Sequence, residues 1–286
     1  MPRGLGGNIA PNKLSEAMVL LRATCGTCQN ATRQFEAVCL NGMLGHARAR
    51  LGLNRKDRNK PVRPANVLYR DGRRAQQDLA IDYIPAAMMI PEFPTSAIFQ
   101  GLSWKPPAIT IHQTLLDDER RSRDPGIHEV SVTLNLHVPS FARMLSKIGL
   151  GLAHYVVGPD AFEPIAREFI RFGTGHANHF VGGYDQMDGG PIDSLESLHE
   201  AGLWQRDGYL VATIRLFAEL PNTPINYAVV GRILREPPGL RHLPQGRPSS
   251  RPYKNTEYPL RSGPTTEIRW DQRILSSPTS SGPDSQ

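Results

Sequence analysis

Cys25-Gly-Thr-Cys28 is the first spacing in the chain that could do chemistry. Two thiolates separated by two residues stand on one side of a tight turn and supply half of a tetrahedral zinc site. The same spacing between a strand and a helix serves redox exchange, but the glycine-rich approach here supplies no strand. Cys39, the remaining cysteine of three, falls on the apolar stripe of the helix expected to follow. His46 lies some five helical turns from Cys28, about 27 Å by helical rise, and is out of reach of an ion held at the pair. Three readings stay open: half of a zinc site, a redox pair, or two thiols without a chemical role. A set this sparse and odd in number does not make a disulfide framework.

Arg48, Arg50, Arg55, Lys56, Arg58, Lys60 and Arg63 form a basic run able to follow a phosphate backbone. The alternative is a solvated loop. No aromatic residues interleave with the run, so it does not suggest stacking on single strands. His176-Ala177-Asn178-His179, close to Asp185 and Asp188 in a glycine-rich stretch, has metal-binding donors but a spacing equally usual for surface polar residues. Ser140, Ser194 and Ser197 with His199 lack the Gly-x-Ser-x-Gly elbow of a hydrolytic nucleophile. Asp117-Asp118-Glu119-Arg120-Arg121 reads as a solvated loop, and His154 as a residue at the core boundary.

The elements that must position these groups can be read from patterning. Residues 29–51 contain no proline, and Phe35, Val38, Cys39, Met43 and Ala47 recur at helical steps, predicting one helix that Gly52 ends. Residues 67–70 with Asp71-Gly72 predict a strand entering a turn. Residues 129–138 alternate strictly and predict a strand with one buried face. Pro139-Ser140 opens a helix carrying Phe141, Leu145, Ile148, Leu152 and Tyr155 on one face, and 159–172 suggest a second helix. Strands return over 209–217 and 226–233. Strands and helices are mixed rather than alternating, so the expected class is α+β.

Charge divides the chain of 286 residues. Residues 1–75 hold 14 Lys/Arg against 4 Asp/Glu, a net +10; 76–236 hold 12 against 19, a net −7; 237–286 hold 7 against 4, a net +3. A basic head on an acidic body is the pattern of a polyanion-binding segment attached to something else. Prolines, serines and arginines crowd residues 237–286, which are expected to be mostly disordered. No apolar run reaches the about 18 to 20 residues of a membrane span, and the first residues lack a secretory pattern, so a cytoplasmic protein is expected.

Pro2-x-x-Leu5-Gly6-Gly7, then Cys25-x-x-Cys28, then Thr32-x-x-Phe35-Glu36-x-x-x-Leu40-x-Gly42-Met43-Leu44 and Arg48-x-x-Leu51-Gly52-Leu53 resemble the latter part of a bacterial His-Asn-His (HNH) endonuclease module. The likeness covers about residues 2–53. Lys147-Ile148, Phe180-Val181-Gly182-Gly183, Leu198-His199 and 208–218 are similar to the domain that accompanies such modules. The resemblance implies metal-dependent hydrolysis of DNA phosphodiesters, with structural zinc on Cys25 and Cys28 and a divalent cation such as magnesium if catalytic. In the family an earlier cysteine pair and a Glu-His step precede the proline motif. That histidine is the general base, and it has no counterpart in these residues. The family's Asn or His ligand position falls near Asn30 or Thr32.

The resulting expectation is a partial ββα-metal (zinc-knuckle) module over 1–53, a basic linker over 54–66, an α+β domain over 67–236 and a disordered tail over 237–286. DNA is the implied partner, met by Arg48, Arg50, Arg55, Lys56, Arg58 and Lys60. The chain is expected to be an inactive or truncated relative of the HNH nucleases; the alternative is a non-catalytic protein that binds nucleic acid or a partner.

Overall fold

The patterned segments become three antiparallel sheets and one long helix in the computed structural model, which describes residues 26–50, 64–80, 83–84, 86–100, 109–116, 126–183, 199–218, 223–234 and 265–271. The class is mixed α+β. One sheet has the order β11-β5-β1-β2, built from β1 (Ala65–Tyr69), β2 (Arg74–Gln77), β5 (Ile127–Asn135) and β11 (Thr265–Asp271). A second has the order β6-β10-β9-β8, with β7 also on β10; its strands are β6 (Phe162–Pro164), β7 (Val181–Gly183), β8 (His199–Arg206), β9 (Tyr209–Leu216) and β10 (Ile225–Ile233). The third is a pair, β3 (Ala86–Glu92) with β4 (Thr110–Leu116).

The alternating segment behaves as its pattern requires, because one face of β5, carrying Val130, Val132 and Leu134, is buried. The strand that follows Asp207-Gly208 is fixed just as locally. Those two residues have φ of 50° and 78°, the left-handed pair of a two-residue hairpin turn joining β8 to β9.

Helix α4 (Val138–Val157) seats on the second sheet. His137 caps it through Nδ1, which accepts from the Ser140 N–H at 3.2 Å, and a proline lies in the first turn. Close approach is possible because residue 149 is glycine: a Cβ there would stand 2.8 Å from Ala212 Cβ and 2.9 Å from Val230 Cγ1. The shorter helices are α3 (Ala97–Gln100), α5 (Arg167–Phe172) and α6 (Ala177–Phe180).

Residues 26–50 do not form the single helix that the spacing predicts. Helix α1 (Gly26–Val38) gives way to a π-helical turn, Cys39–Met43, and then to α2 (Gly45–Arg50). The wide turn is closed by the Leu44 N–H donating to Cys39 O at 3.1 Å. Phe35, Cys39, Met43 and Ala47 are buried as the stripe requires, but Val38 faces out, 41% exposed, because it lies one residue, about 100° around the helix, from Cys39.

Three further observations bear on the expected layout. Residues 159–172 hold a strand and a helix, β6 and α5, because 162–164 pair with the end of β10 and leave only 167–172 to coil. The segment 265–271 of the expected disordered tail is a strand paired along β5, Thr265 opposite Asn135 through Asp271 opposite Glu129; its run of Thr, Ile and Trp has β propensity that the surrounding composition masks. The boundary at 53/54 separates no cores among the described residues. Phe35, Cys39, Leu40, Met43, Leu44 and Ala47 share one cluster with Met88, Ile90, Phe141, Leu145, Phe169 and Ala228.

Two basic side chains of α4 join α1 to this core. Lys147 Nζ forms an ion pair with Glu36 and donates to Thr32 Oγ1 at 2.7 Å. Arg143 places its guanidinium 4.4 Å over the Phe35 ring and donates to the carbonyls of Ile170 and Arg171, occupying acceptors that the end of α5 leaves open. The Lys147 and Glu36 side chains are 7% and 12% exposed, so removing one partner strands a charge in the core. Lys147→Met is expected to cost about 3–5 kcal/mol in urea unfolding. The double change Lys147→Met with Glu36→Leu, which removes both charges, is expected to cost less than Lys147→Met alone.

Candidate functional site

Helix formation from Gly26 places Cys28 in the first turn of α1, half-buried. Cys25 lies outside the described residues. Asn30 is exposed on the next turn, whereas Thr32 is buried, 2% exposed. The Thr32 hydroxyl donates to Gln29 O at 3.2 Å and accepts from Lys147. Of the two positions near the family's metal ligand, Thr32 is therefore committed to packing.

A zinc ion needs two ligands beyond Cys25 and Cys28. Cys39 does not qualify. It is fully buried, and desolvation, with the Glu36 carboxylate adding to it, pushes its thiol up to about 12. It is a neutral thiol at pH 7 rather than a thiolate. His46 is 1% exposed inside the same core. Among the described residues no three His, Cys, Asp or Glu side chains gather as a metal site. The donors described near Cys28 do not by themselves complete a zinc site, and no chemistry is assigned through one.

The basic residues separate. Arg48 is a correction: it is 8% exposed, and its Nη1 donates to Leu40 O at 3.0 Å. The π-helical turn disturbs the regular ladder of acceptors there, and Arg48 turns inward to bind one of them, so it does not face a phosphate. Arg50 ends α2, and its side chain lies outside the described residues, as do Arg55, Lys56, Arg58 and Lys60.

Other sequence candidates resolve into structural roles. Ser140 is buried at the start of α4, with its N–H bound by His137. His199 Nδ1 accepts from the Phe217 N–H at 3.1 Å, which holds the turn where Phe217 has a φ of 56°. His154 packs on Phe162 at 5.1 Å; burial first and the Arg167 charge second lower its pKa. His176 and His179 are exposed at α6, and burial followed by the His176 charge lowers the His179 pKa. Asp185, Asp188, Ser194 and Ser197 lie outside the described residues, as do 117–121.

The first sheet carries a concavity of its own. On the outward face of the first sheet, Asn66, Leu68, Arg74, Gln76, Glu129 and Ser131 line a cleft of about 340 Å³. Pairing creates it: Asn66 stands between Gln76 and Ser131, and Leu68 between Arg74 and Glu129. The chain separations involved leave no local signal beyond the polar half of each strand's alternation.

Comparison with protein-family models, with curated proteins and with solved structures finds no match to this chain. Among the described residues no helix is long and apolar enough to cross a membrane; the 20 residues of α4 include Arg143 and Lys147.

The Cys39 environment has a measurable consequence. A thiol whose folded pKa is raised above its unfolded value contributes stability that is present below the unfolded value and lost as pH rises through the folded one. Stability is expected to fall from about pH 9 toward 12, and Cys39→Ala to flatten that fall by about 1.4 kcal/mol per pH unit. Denaturant unfolding at a series of alkaline pH values checks this.

Proposed function

We propose that the chain is an HNH-type protein that associates with DNA without hydrolysing it. The single observation that carries this reading is Cys28. It stands half-buried in the first turn of a helix, where the resembling family sets its second cysteine pair, and Lys147 ties that helix to the body. Zinc is proposed only as an ion to which Cys25 and Cys28 contribute half of the donors.

Hydrolysis needs a base for the attacking water. The family's Glu-His step has no counterpart in the 286 residues. Of the described histidines, His176 and His179 are exposed, but no three metal-ligating side chains gather around them among the described residues, so no base is assigned. His46 is buried, His154 packs on Phe162, and the His199 Nδ1 accepts a backbone N–H. Binding is assigned instead to Arg50, Arg55, Lys56, Arg58 and Lys60, whose charges would meet phosphates; Arg48 is excluded by its bond to Leu40 O. The core that α1 shares with the body supports a fixed binding role more readily than a separately acting nuclease module.

Four phosphate contacts from Arg55, Lys56, Arg58 and Lys60 imply a salt slope near −3.6, or about a 150-fold loss of duplex affinity between 50 and 200 mM salt. Changing all four to Glu is expected to abolish retention on duplex DNA. Retention unaltered by those changes would contradict the assignment. Incubation with magnesium or manganese is expected to leave the DNA intact, and cleavage by the 286-residue chain would show that the base has been misplaced.

A further inference from the structure

Side chains from three separate parts of the sequence meet on the outer face of the second sheet. Strand register sets Tyr209 opposite Arg206 on β8 and opposite Arg232 on β10, so the three stand in one row. Phe99 of α3 meets the Tyr209 ring edge-on, with centroids 6.1 Å apart and planes at 79°. The basic run at 48–63 has no aromatic residues interleaved with it; the fold assembles such an arrangement here instead.

The support beneath this row is rigid. The Ser96 N–H donates to Tyr227 Oη at 2.8 Å and fixes the start of α3. Tyr227 is 1% exposed and lies edge-on to Trp204, centroids 6.1 Å apart. Phe99 packs on Tyr227 at 6.1 Å, so the aromatic groups are held before any ligand arrives.

The two cation–ring distances differ in a useful way. Arg206 Cζ is 4.2 Å above the Phe99 ring, in direct contact. Arg232 Cζ is 5.9 Å above the Tyr209 ring, at the outer limit of a cation–π contact. A stacked base occupies about 3.4 Å, so a base between guanidinium and ring needs about 7 Å. Arg232 is exposed, and rotation of its long side chain supplies the remaining ångström.

Charge favours stacking over bulk attraction to a polyanion. Asp207 pairs with Arg206 at 3.2 Å, and the exposed Glu163 on β6 stands opposite Arg232 in the register. Two cations and two carboxylates leave the surface nearly balanced, unlike the basic run.

We propose that Tyr209 and Arg232, backed by Phe99 and Arg206, form a site for one unpaired base of single-stranded DNA. The base stacks between the Tyr209 ring and the Arg232 guanidinium, an arrangement tolerant of base identity because every base has a π face. The inference rests on the nucleic-acid reading of the basic segment and gives the body a role of its own, in which the segment follows phosphates and the sheet holds a base.

The test is fluorescence anisotropy of the full chain with a labelled oligodeoxythymidylate, with a strand of equal length carrying abasic positions, and with a duplex. The intact chain is expected to bind the base-bearing strand about 5- to 100-fold more tightly than the abasic one, with the same salt slope for both strands, because the phosphate contacts of the basic segment are common to them. Tyr209→Ala is expected to erase that preference, Tyr209→Phe to keep it, and Arg232→Gln to weaken it. Equal binding of base-bearing and abasic strands by the intact chain would overturn the proposal, and needs no variant to fold. Full preference retained in Tyr209→Ala would overturn it too. If duplex is held in a salt-sensitive way while the two strands bind alike, this site fails and the basic segment's assignment stands; if neither duplex nor strand binds, both fail.

Discussion

Lys147 extends from the middle of α4 to Glu36 on α1, and the two charges meet among side chains that water scarcely reaches. Taking both ions from water is costly, and their attraction offsets the cost only when the remaining donors and acceptors are also occupied. Thr32 meets part of that requirement by accepting from the same ammonium. The geometry constrains its neighbours in turn. α1 must present positions 32 and 36, one helical turn apart, toward α4, which directs Phe35 to Arg143 and Cys39 into the core. The carboxylate that satisfies Lys147 also adds to the burial that keeps Cys39 neutral. Cys28, two turns before Glu36, inherits its position from this arrangement.

The helix bearing Cys28 is thus an internal part of the body's packing. Arg143 reinforces it by joining the Phe35 ring to the carbonyl end of α5, so α1, α4 and α5 meet through two basic side chains instead of an apolar seam alone. An opposite-charge pair selects one axial register where leucines would tolerate several. The π-helical turn that follows α1 has its own consequence: Arg48, a surface cation by composition, becomes an internal donor to Leu40. The second sheet, for its part, gathers Arg206, Tyr209 and Arg232 by cross-strand register.

Much of this fold was legible in the sequence where the signal is local. The alternation around Val130, Val132 and Leu134 named β5, the Pro139-Ser140 start named α4, and the strands around 209–217 and 226–233 stand close to where they were expected. The failures share a cause. Whether Phe162 coils or pairs depends on Ile233 across the sheet, and whether 265–271 is ordered depends on β5, some 130 residues away. Arg48 looked solvent-facing because charge is the only local cue it carries. The ion pair itself was illegible for the same reason: nothing near Lys147 announces Glu36. Of the candidate site, the thiol spacing and the basic run could be read directly, but the cleft on the first sheet and the aromatic row on the second exist only through strand pairing.

Through Lys147 and Glu36, α1 belongs to the cooperative unit of the body. Native-state hydrogen exchange reads this most directly, because amides that open together share one opening free energy. The amides of Phe35 and its α1 neighbours are expected to exchange with the same opening free energy and denaturant dependence as those in the centre of α4. Exchange of α1 through a separate opening, well below the global unfolding free energy and insensitive to denaturant, would contradict it.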